Sequence, residues 1–172
     1  MVVPNGNEQE FIDVALALDY DEIVFITGSM DYKKPASDKI SVKTAFLLKN
    51  ISQMGIAKKK FDYVIAPAER QFFEIKADFI VSLENDLKDN FHYRNTPLNQ
   101  VHAALAKKSR AVMTFDFRVL LYNPILALGK MYQNAGLIKK YSLDNDSFSF
   151  ARSPSEMRSR QILDALLRVL GL

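Results

Sequence analysis

Short apolar runs rich in β-branched residues alternate along this chain with longer segments whose apolar residues recur every three to four positions. Runs of the first kind predict buried strands, and spacing of the second kind predicts helices with one buried face. Strands are predicted over residues 1–4, 21–27, 61–66, 78–83, 111–115 and 147–150. Helices are predicted over residues 8–18, 41–54, 69–76, 96–107, 119–141 and 154–170.

Local signals set the expected ends of these helices. Asn7 and Thr96, the latter followed by proline, stand where a helix N-cap accepts a hydrogen bond from a free backbone amide. Gly55 is expected to end the helix over 41–54.

Strands that alternate with helices are typical of βαβ units and a parallel sheet. Right-handed crossovers can roll such a sheet into a barrel or leave it open. We count about six strand–helix units, fewer than the eight of a full (β/α)₈ barrel, which takes roughly 250 residues. We therefore predict an α/β fold, a reduced TIM-barrel-like (βα)n barrel of about six units, in one domain over residues 1–172.

Composition narrows the class of protein. Cysteine is absent, which excludes disulfides and thiolate metal sites and fits a reducing compartment. No apolar run approaches the roughly 20 residues that span a bilayer, and residues 1–10 lack the basic start of a secretory signal. We therefore expect a cytoplasmic protein.

Charge is spread unevenly, although the net charge is only +3. Residues 1–86 hold 10 Lys and Arg against 14 Asp and Glu, whereas residues 87–172 hold 13 against 6. A basic segment of this kind is typical of proteins that bind a polyanion, and it is equally compatible with an ordinary solvated surface. Charge alone leaves both interpretations open.

The sequence contains no nucleotide-binding motif and no cluster of zinc ligands. Its six glycines are isolated, so neither G-x-G-x-x-G nor a P-loop occurs. A catalytic zinc site usually takes three protein ligands, and only His92 and His102 are present as histidines. We predict a packing or surface role for His102, and we expect neither a catalytic residue nor a metal site on this protein.

Three acidic residues keep an enzymatic alternative open. Asp116 lies at the end of a predicted strand, where barrel enzymes place their working groups, and Glu84 and Asp86 follow another strand. Around a divalent metal ion they would give a small TIM-barrel metal-dependent hydrolase. No nucleophile or base accompanies them, and Arg118 beside Asp116 is expected to form an ion pair with it.

Basic residues in the second half form two groups. The first, where a predicted helix runs into a strand, comprises Lys107, Lys108 and Arg110. The second, around the loop ahead of the last helix, comprises Arg152, Arg158 and Arg160, interleaved with Ser153, Ser155 and Ser159. Guanidinium groups bind phosphate through paired hydrogen bonds, and hydroxyls add further donors. Such groups favour a sugar–phosphate backbone over base sequence.

Two segments of the chain resemble the ribonuclease P component 3 family, the TIM-barrel-like protein subunit of archaeal and eukaryotic ribonuclease P. Residues 94–121 are similar to the family's basic loop, its [LI]-[ND]-x-V helix (here LNQV) and its F-x-[LF]-R-x-[LI]-L strand (here FDFRVLL). Residues 151–163 (ARSPSEMRSRQIL) are similar to its S-G-A-x-S-x-x-[ED]-[LM]-R-S-P-R-D-[IL] loop, and the chain closes on the family's L-G-[ML]. Together the two segments cover about residues 92–172.

The chain departs from the family pattern at individual positions. Tyr93-Arg94 stands where an Arg-Lys pair is usual, and Gln100 replaces a common histidine. Arg160-Gln161 stands where Pro-Arg-Asp is usual. These departures concern single RNA contacts and suggest a streamlined archaeal form.

The resemblance implies an RNA-binding subunit of a ribonucleoprotein that removes the 5′ leader of precursor tRNA. It implies that the RNA subunit carries the chemistry with Mg²⁺, that the protein binds no cofactor, and that it pairs with a second protein, component 2. The residues expected to bind RNA are Arg94, Lys107, Lys108, Arg110, Arg118, Arg152, Ser153, Ser155, Arg158 and Arg160.

A third hypothesis is a purely protein-binding module with exposed aromatic anchors. Tyr122 and Tyr132 are the candidates. Aromatic residues at helical spacing are more often part of the core, so we expect both rings to be buried.

Overall fold

The computed structural model describes residues 1–84 and 95–172. Six parallel strands form one sheet, and their order across the sheet equals their order along the chain. The sheet curls with helices between its strands, which confirms the predicted α/β barrel-like fold. The strands are β1 (Glu22–Thr27), β2 (Ser41–Leu47), β3 (Tyr63–Pro67), β4 (Phe79–Val81), β5 (Val112–Asp116) and β6 (Asn145–Phe148).

The observed helices overlap those predicted over residues 8–18, 96–107, 119–141 and 154–170, but the helix predicted over residues 69–76 is wrong, because only a three-residue 3₁₀ turn lies there. The helices are α1 (Glu8–Ala17), α2 (Met54–Lys60), α3 (Gln100–Ser109), α4 (Arg118–Tyr122), α5 (Pro124–Tyr141) and α6 (Arg160–Leu170), with short 3₁₀ turns at Ile51–Gln53, Arg70–Phe72 and Pro154–Glu156. Within the described ranges, no helix is long and apolar enough to cross a membrane.

The segment at residues 2–3 is hydrogen-bonded to both edges of the sheet. The Val2 amide donates to the Val24 carbonyl at 2.9 Å, and the Val2 carbonyl accepts from the Ile26 amide at 2.8 Å. On its other side the Val3 amide donates to the Ala151 carbonyl at 2.8 Å. The strand predicted over residues 1–4 is therefore a pair of single-residue bridges at Val2, and these link β1 to the chain beyond β6.

The helix predicted over residues 41–54 is wrong, because β2 occupies its first half. Thr44 in β2 is buried, and its amide and hydroxyl both donate to the Asp62 carboxylate, at 2.8 and 3.0 Å. Gly55 is the second residue of α2 and does not end a helix. The stretch between Gly55 and Phe61 is thus helical, and the connection without a helix is the loop at residues 28–40.

Two predicted N-caps are also corrected. The α3 helix begins three residues later than expected, at the point where the Asn99 side chain accepts from the His102 amide at 2.9 Å. Thr96 instead donates its hydroxyl to the Leu98 carbonyl. Asn7 precedes α1, but its side chain accepts from the Asn5 amide and not from the helix.

The inward face of the sheet is filled by side chains, as in other small parallel barrels. This interior cluster comprises Val24, Ile26, Ala45, Ile65, Val81 and Phe150. Aromatic rings extend it edge to face, with Phe79 5.6 Å from both Tyr63 and Phe148. The outward face packs against the helices in two larger clusters. In the larger of them His102 stacks on Phe73 at 4.7 Å, which confirms its predicted packing role.

Candidate nucleic-acid interface

The strands end around a small cavity of about 110 Å³ at the carboxyl edge of the sheet. Apolar side chains form its floor, among them Ile26, Ile65 and Phe150. Polar side chains at its rim come from the ends of β4 and β5 and from the loop after β6, namely Ser82, Asp116, Arg118 and Arg152. Two of the predicted RNA-binding arginines, Arg118 and Arg152, are thus brought together at the rim of this cavity. We call this rim the mouth.

Asp116 and Arg118 form the expected ion pair across the end of β5. The carboxylate lies 3.4 Å from the guanidinium, and it also accepts from the Arg118 amide at 2.8 Å. Burial raises the pKa of Asp116 to about 6, although Arg118 opposes the shift. Much of the positive charge of Arg118 is consequently balanced within the protein.

Glu84 lies directly behind this pair and is only 6% exposed. Its carboxylate is 3.5 Å from the Asp116 amide, and its Oε1 has no hydrogen-bond partner among the described residues. Burial, and then the charge of Asp116, raise the pKa of Glu84 to about 8, against the opposing charge of Lys130. Glu84 is therefore mostly protonated at neutral pH.

Two of the three acids of the hydrolase hypothesis come together in this way. The third, Asp86, lies outside the described residues, as does the predicted RNA-binding residue Arg94. No group of three potential metal ligands occurs within residues 1–84 and 95–172.

The loop after β6 is organised by one carboxylate. Glu156 accepts from the backbone amides of Arg152 and Ser153 at 2.7 and 3.3 Å, and from the Tyr122 hydroxyl. Burial acts to raise the pKa of Glu156, but these hydrogen bonds outweigh it and hold the pKa below its usual value. The loop is thus fixed in a shape that leaves Arg152 exposed beside the cavity.

The other residues of this loop that were predicted to bind RNA already make contacts within the protein. The Ser153 and Ser155 hydroxyls hydrogen-bond to each other at 3.0 Å. The Arg158 guanidinium donates to two carbonyls of its own loop and lies over the Phe117 ring. Arg160 is ion-paired at 2.9 Å with Asp146 and at 2.7 Å with Asp164.

Lys107, Lys108 and Arg110 lie at the opposite, amino edge of the sheet. Lys107 and Lys108 lie in the last turn of α3, and Arg110 follows it in a left-handed conformation (φ 58°) that turns the chain into β5. The Lys107 ammonium donates to the Ser142 carbonyl at the end of α5. Lys107, Arg110 and Ser142 line an open depression of about 410 Å³. The predicted RNA-binding residues are therefore divided between two edges of the sheet.

The amino edge carries further lysines that sequence analysis did not select. The α2 helix ends in Lys58, Lys59 and Lys60, and α5 ends in Lys139 and Lys140. The available signal was that each lysine run directly precedes a strand, as Lys107 and Lys108 do.

The prediction that Tyr122 and Tyr132 are core residues is wrong. Their exposed fractions are 69% and 52%. Ile125 on α5 and Val169 on α6 are exposed by 80% and 60%, and the Tyr132 hydroxyl donates to the Val169 carbonyl. These four side chains, the apolar strip, lie on helices α4 to α6. Both tyrosines do lie on helices, as their spacing predicted. Sequence alone does not show which apolar helix face is covered by a neighbouring element.

Comparison with known proteins finds similarity at the level of structure. No family model and no curated protein matches the chain. The fold is similar to that of a chain in the cryo-EM structure of archaeal ribonuclease P with mature tRNA, with a TM-score of 0.79 and 18% sequence identity. The alignment covers 98% of this chain and 81% of that chain. At this identity the similarity establishes a shared fold over nearly the whole chain.

Proposed function

We propose that this chain is an RNA-binding protein subunit of ribonuclease P, of the component 3 type. In this role it supports the catalytic RNA that removes the 5′ leader of precursor tRNA. The observation that carries the proposal is the fold shared, over 98% of the chain, with a chain of archaeal ribonuclease P bound to mature tRNA. The motifs in residues 94–121 and 151–172 support the same family on different grounds, because they are sequence patterns.

The chemistry in this proposal belongs to the RNA and its Mg²⁺ ions, and the protein binds no cofactor. The two acids at the mouth support this assignment of the chemistry to the RNA. Asp116 is already paired with Arg118, and burial keeps Glu84 mostly protonated at neutral pH. A carboxyl group acts as a general base or a metal ligand through a lone pair of its ionised form.

RNA contacts are proposed at both edges of the sheet. At the carboxyl edge Arg152 is exposed, and Arg118 adds a partly balanced charge. At the amino edge Lys107, Lys108 and Arg110 are exposed. Contacts of these kinds fix a protein on the sugar–phosphate backbone without reading base sequence.

The partner protein in the proposal is component 2, and the apolar strip is its proposed docking surface. Exposed aromatic and branched apolar side chains are the usual anchors of protein interfaces. Ile125 and Tyr132 are seven residues apart on α5, a spacing that puts them on one helix face, and the Tyr132 hydroxyl reaches the Val169 carbonyl of α6. The proposal includes a cytoplasmic location in an archaeal cell.

The test is to recover the tagged full-length chain from the cells that encode it and to sequence the RNA that comes with it. Ribonuclease P RNA is expected as the most enriched species, and its enrichment should fall as the salt concentration of the wash rises. Recovery of protein partners without ribonuclease P RNA, unchanged by nuclease, would instead favour the protein-binding module and would contradict the proposal.

A further inference from the structure

The amino edge of the sheet collects basic residues from several connections. In a parallel sheet, every connection that leads into a strand ends at this edge. The connections into β3, β4, β5 and β6 carry the exposed residues Lys58, Lys59, Lys60, Lys76, Lys107, Lys108, Arg110, Lys139 and Lys140. Since β3 to β6 are consecutive in the sheet, these residues form one basic arc. Three strand spacings give it a width of about 14 Å along the sheet.

The charge of the basic arc is little neutralised by the protein. Among the described residues, Lys60 is the one member in an ion pair, 3.9 Å from Asp31, whose side chain is fully exposed. Three exposed acids, Asp62, Asp78 and Asp144, lie at the same edge against nine basic residues. Asp62 is bound by Thr44 and lies near Lys34 and Lys43, which do not belong to the arc. Exposed pairs of this kind contribute little, so most of the positive charge faces solvent.

Helix dipoles explain the positions of some basic residues of the arc but not of all. Cations are favoured near helix C-termini, and the Lys107 ammonium donates to a carbonyl at the end of α5. Lys76, however, follows a 3₁₀ turn and not an α-helix, and Arg110 lies beyond the last turn of α3. Two open depressions of about 410 and 340 Å³ are lined by members of the arc. A positively charged surface with two open depressions can accommodate an extended polyanion.

The chemistry of the arc favours double-helical RNA. Single strands are usually held by aromatic rings that stack on the bases, and within the described residues the rings found at this edge, Tyr32 and Tyr141, are only partly exposed. Lysines act as point charges that bind phosphates without reading the bases. Duplex RNA is recognised mainly through its backbone and shape.

We propose that the basic arc is a docking face for the sugar–phosphate backbone of double-helical RNA. This inference rests on the proposed function and deepens it, because it names double-helical RNA as the form that the amino edge binds and extends the site beyond Lys107, Lys108 and Arg110. It also brings in Lys58–Lys60, Lys76, Lys139 and Lys140, which come from both halves of the chain. Barrel proteins usually bind their ligands at the carboxyl edge, so the proposal departs from the general expectation for this fold.

The experiment measures binding of the full-length chain to a blunt RNA duplex and to a single strand of equal length, each of roughly 16 nucleotides per strand, over a series of salt concentrations. The test variant is Lys59→Gln with Lys108→Gln. The matched control is Lys49→Gln with Arg70→Gln, since both residues are exposed and lie after strands. Each variant loses two positive charges, so the comparison isolates position from net charge.

The duplex is expected to bind more tightly than the single strand. The test variant should lose about tenfold in duplex affinity and reduce the slope of log K against log salt by about 2, whereas the control should change the affinity less than about threefold. Equal losses in the two variants, no loss in the test variant, or tighter binding of the single strand would each overturn the inference.

The outcome is separable from that of the proposed function. If wild-type protein recovers ribonuclease P RNA while the test variant binds duplex normally, the basic arc is wrong and the function stands. If ribonuclease P RNA is not recovered but duplex binding depends on the arc, the function is wrong and the RNA-binding face stands.

Discussion

Replacing Glu84 by glutamine is expected to remove a pH-dependent loss of stability. Glu84 is buried at the mouth, and its pKa is raised from 4.5 to about 8 in the folded chain. Between these two pH values the folded chain therefore holds a proton that the unfolded chain has released. The contribution of Glu84 to stability is fully present below pH 4.5 and is lost as the pH rises through 8.

The size of the effect follows from the two pKa values. Inside that interval the free energy of unfolding falls by about 1.4 kcal/mol per pH unit. Between pH 5 and pH 7, wild type should lose about 2 to 3 kcal/mol relative to Glu84→Gln, which cannot ionise. Against a total stability of about 5–15 kcal/mol, such a change is readily measured.

The assay is urea denaturation followed by circular dichroism at pH 5, 6, 7 and 8. Titrating groups other than Asp116 are common to both proteins and cancel in the difference between them. Asp116 nearly cancels up to pH 7, because Glu84 is still mostly protonated there and is as uncharged as glutamine. Glu74→Gln is the control, because Glu74 is exposed and an exposed carboxyl keeps its hydration on folding. A Glu84→Gln difference that stays constant with pH, or that shrinks as the pH rises, would refute the reasoning.

Three further changes test the fold and the partner surface. Asn99→Ala removes the acceptor for the His102 amide and should cost about 1 kcal/mol of unfolding free energy, measured by urea denaturation. Val3→Pro removes the amide that donates to Ala151 and should cost about 1–3 kcal/mol by thermal denaturation. Tyr132→Ser should weaken binding of component 2 at least about tenfold by calorimetry, since exposed aromatic anchors dominate such interfaces.

Each of these changes has a conservative control. Asn99→Asp keeps a capping oxygen, Val3→Ala keeps the amide, and Tyr132→Phe keeps the ring; all three should stay close to wild type. Equal effects of a change and its control would show that the named contact is not responsible.

The sheet was predictable from sequence except at β2 and at residues 1–4, where only single-residue bridges form. Val42, Ala45 and Phe46 stand at the i, i+3 and i+4 spacing of a helix, and short apolar runs are compatible with either structure. The strand is stabilised by contacts that are remote in sequence. It pairs with all of β1, as in the register Val42↔Ile23, and Asp62 satisfies the polar groups of its buried threonine.

The candidate interface was predictable only where basic residues are close in sequence. Lys107, Lys108 and Arg110 form a visible cluster. Lys58–Lys60 and Lys139–Lys140 join them only because parallel strands bring their connections to the same edge. Lys58–Lys60 directly preceded the strand predicted over residues 61–66, but with residues 41–54 assigned to a helix that ends at Gly55, no predicted helix carried this lysine run.

The most direct test of the proposed function is cleavage of precursor tRNA by the matching ribonuclease P RNA and component 2, with and without this chain, at moderate Mg²⁺ concentration. The account predicts cleavage at the 5′ leader that is stimulated by adding the chain and absent when the RNA subunit is omitted. The proposal would be contradicted if the same mixture cleaves precursor tRNA when another subunit of this type is added but shows no stimulation when this chain is added. Cleavage by the chain without the RNA subunit, abolished by a chelator, would also contradict it and would favour the metal-dependent hydrolase.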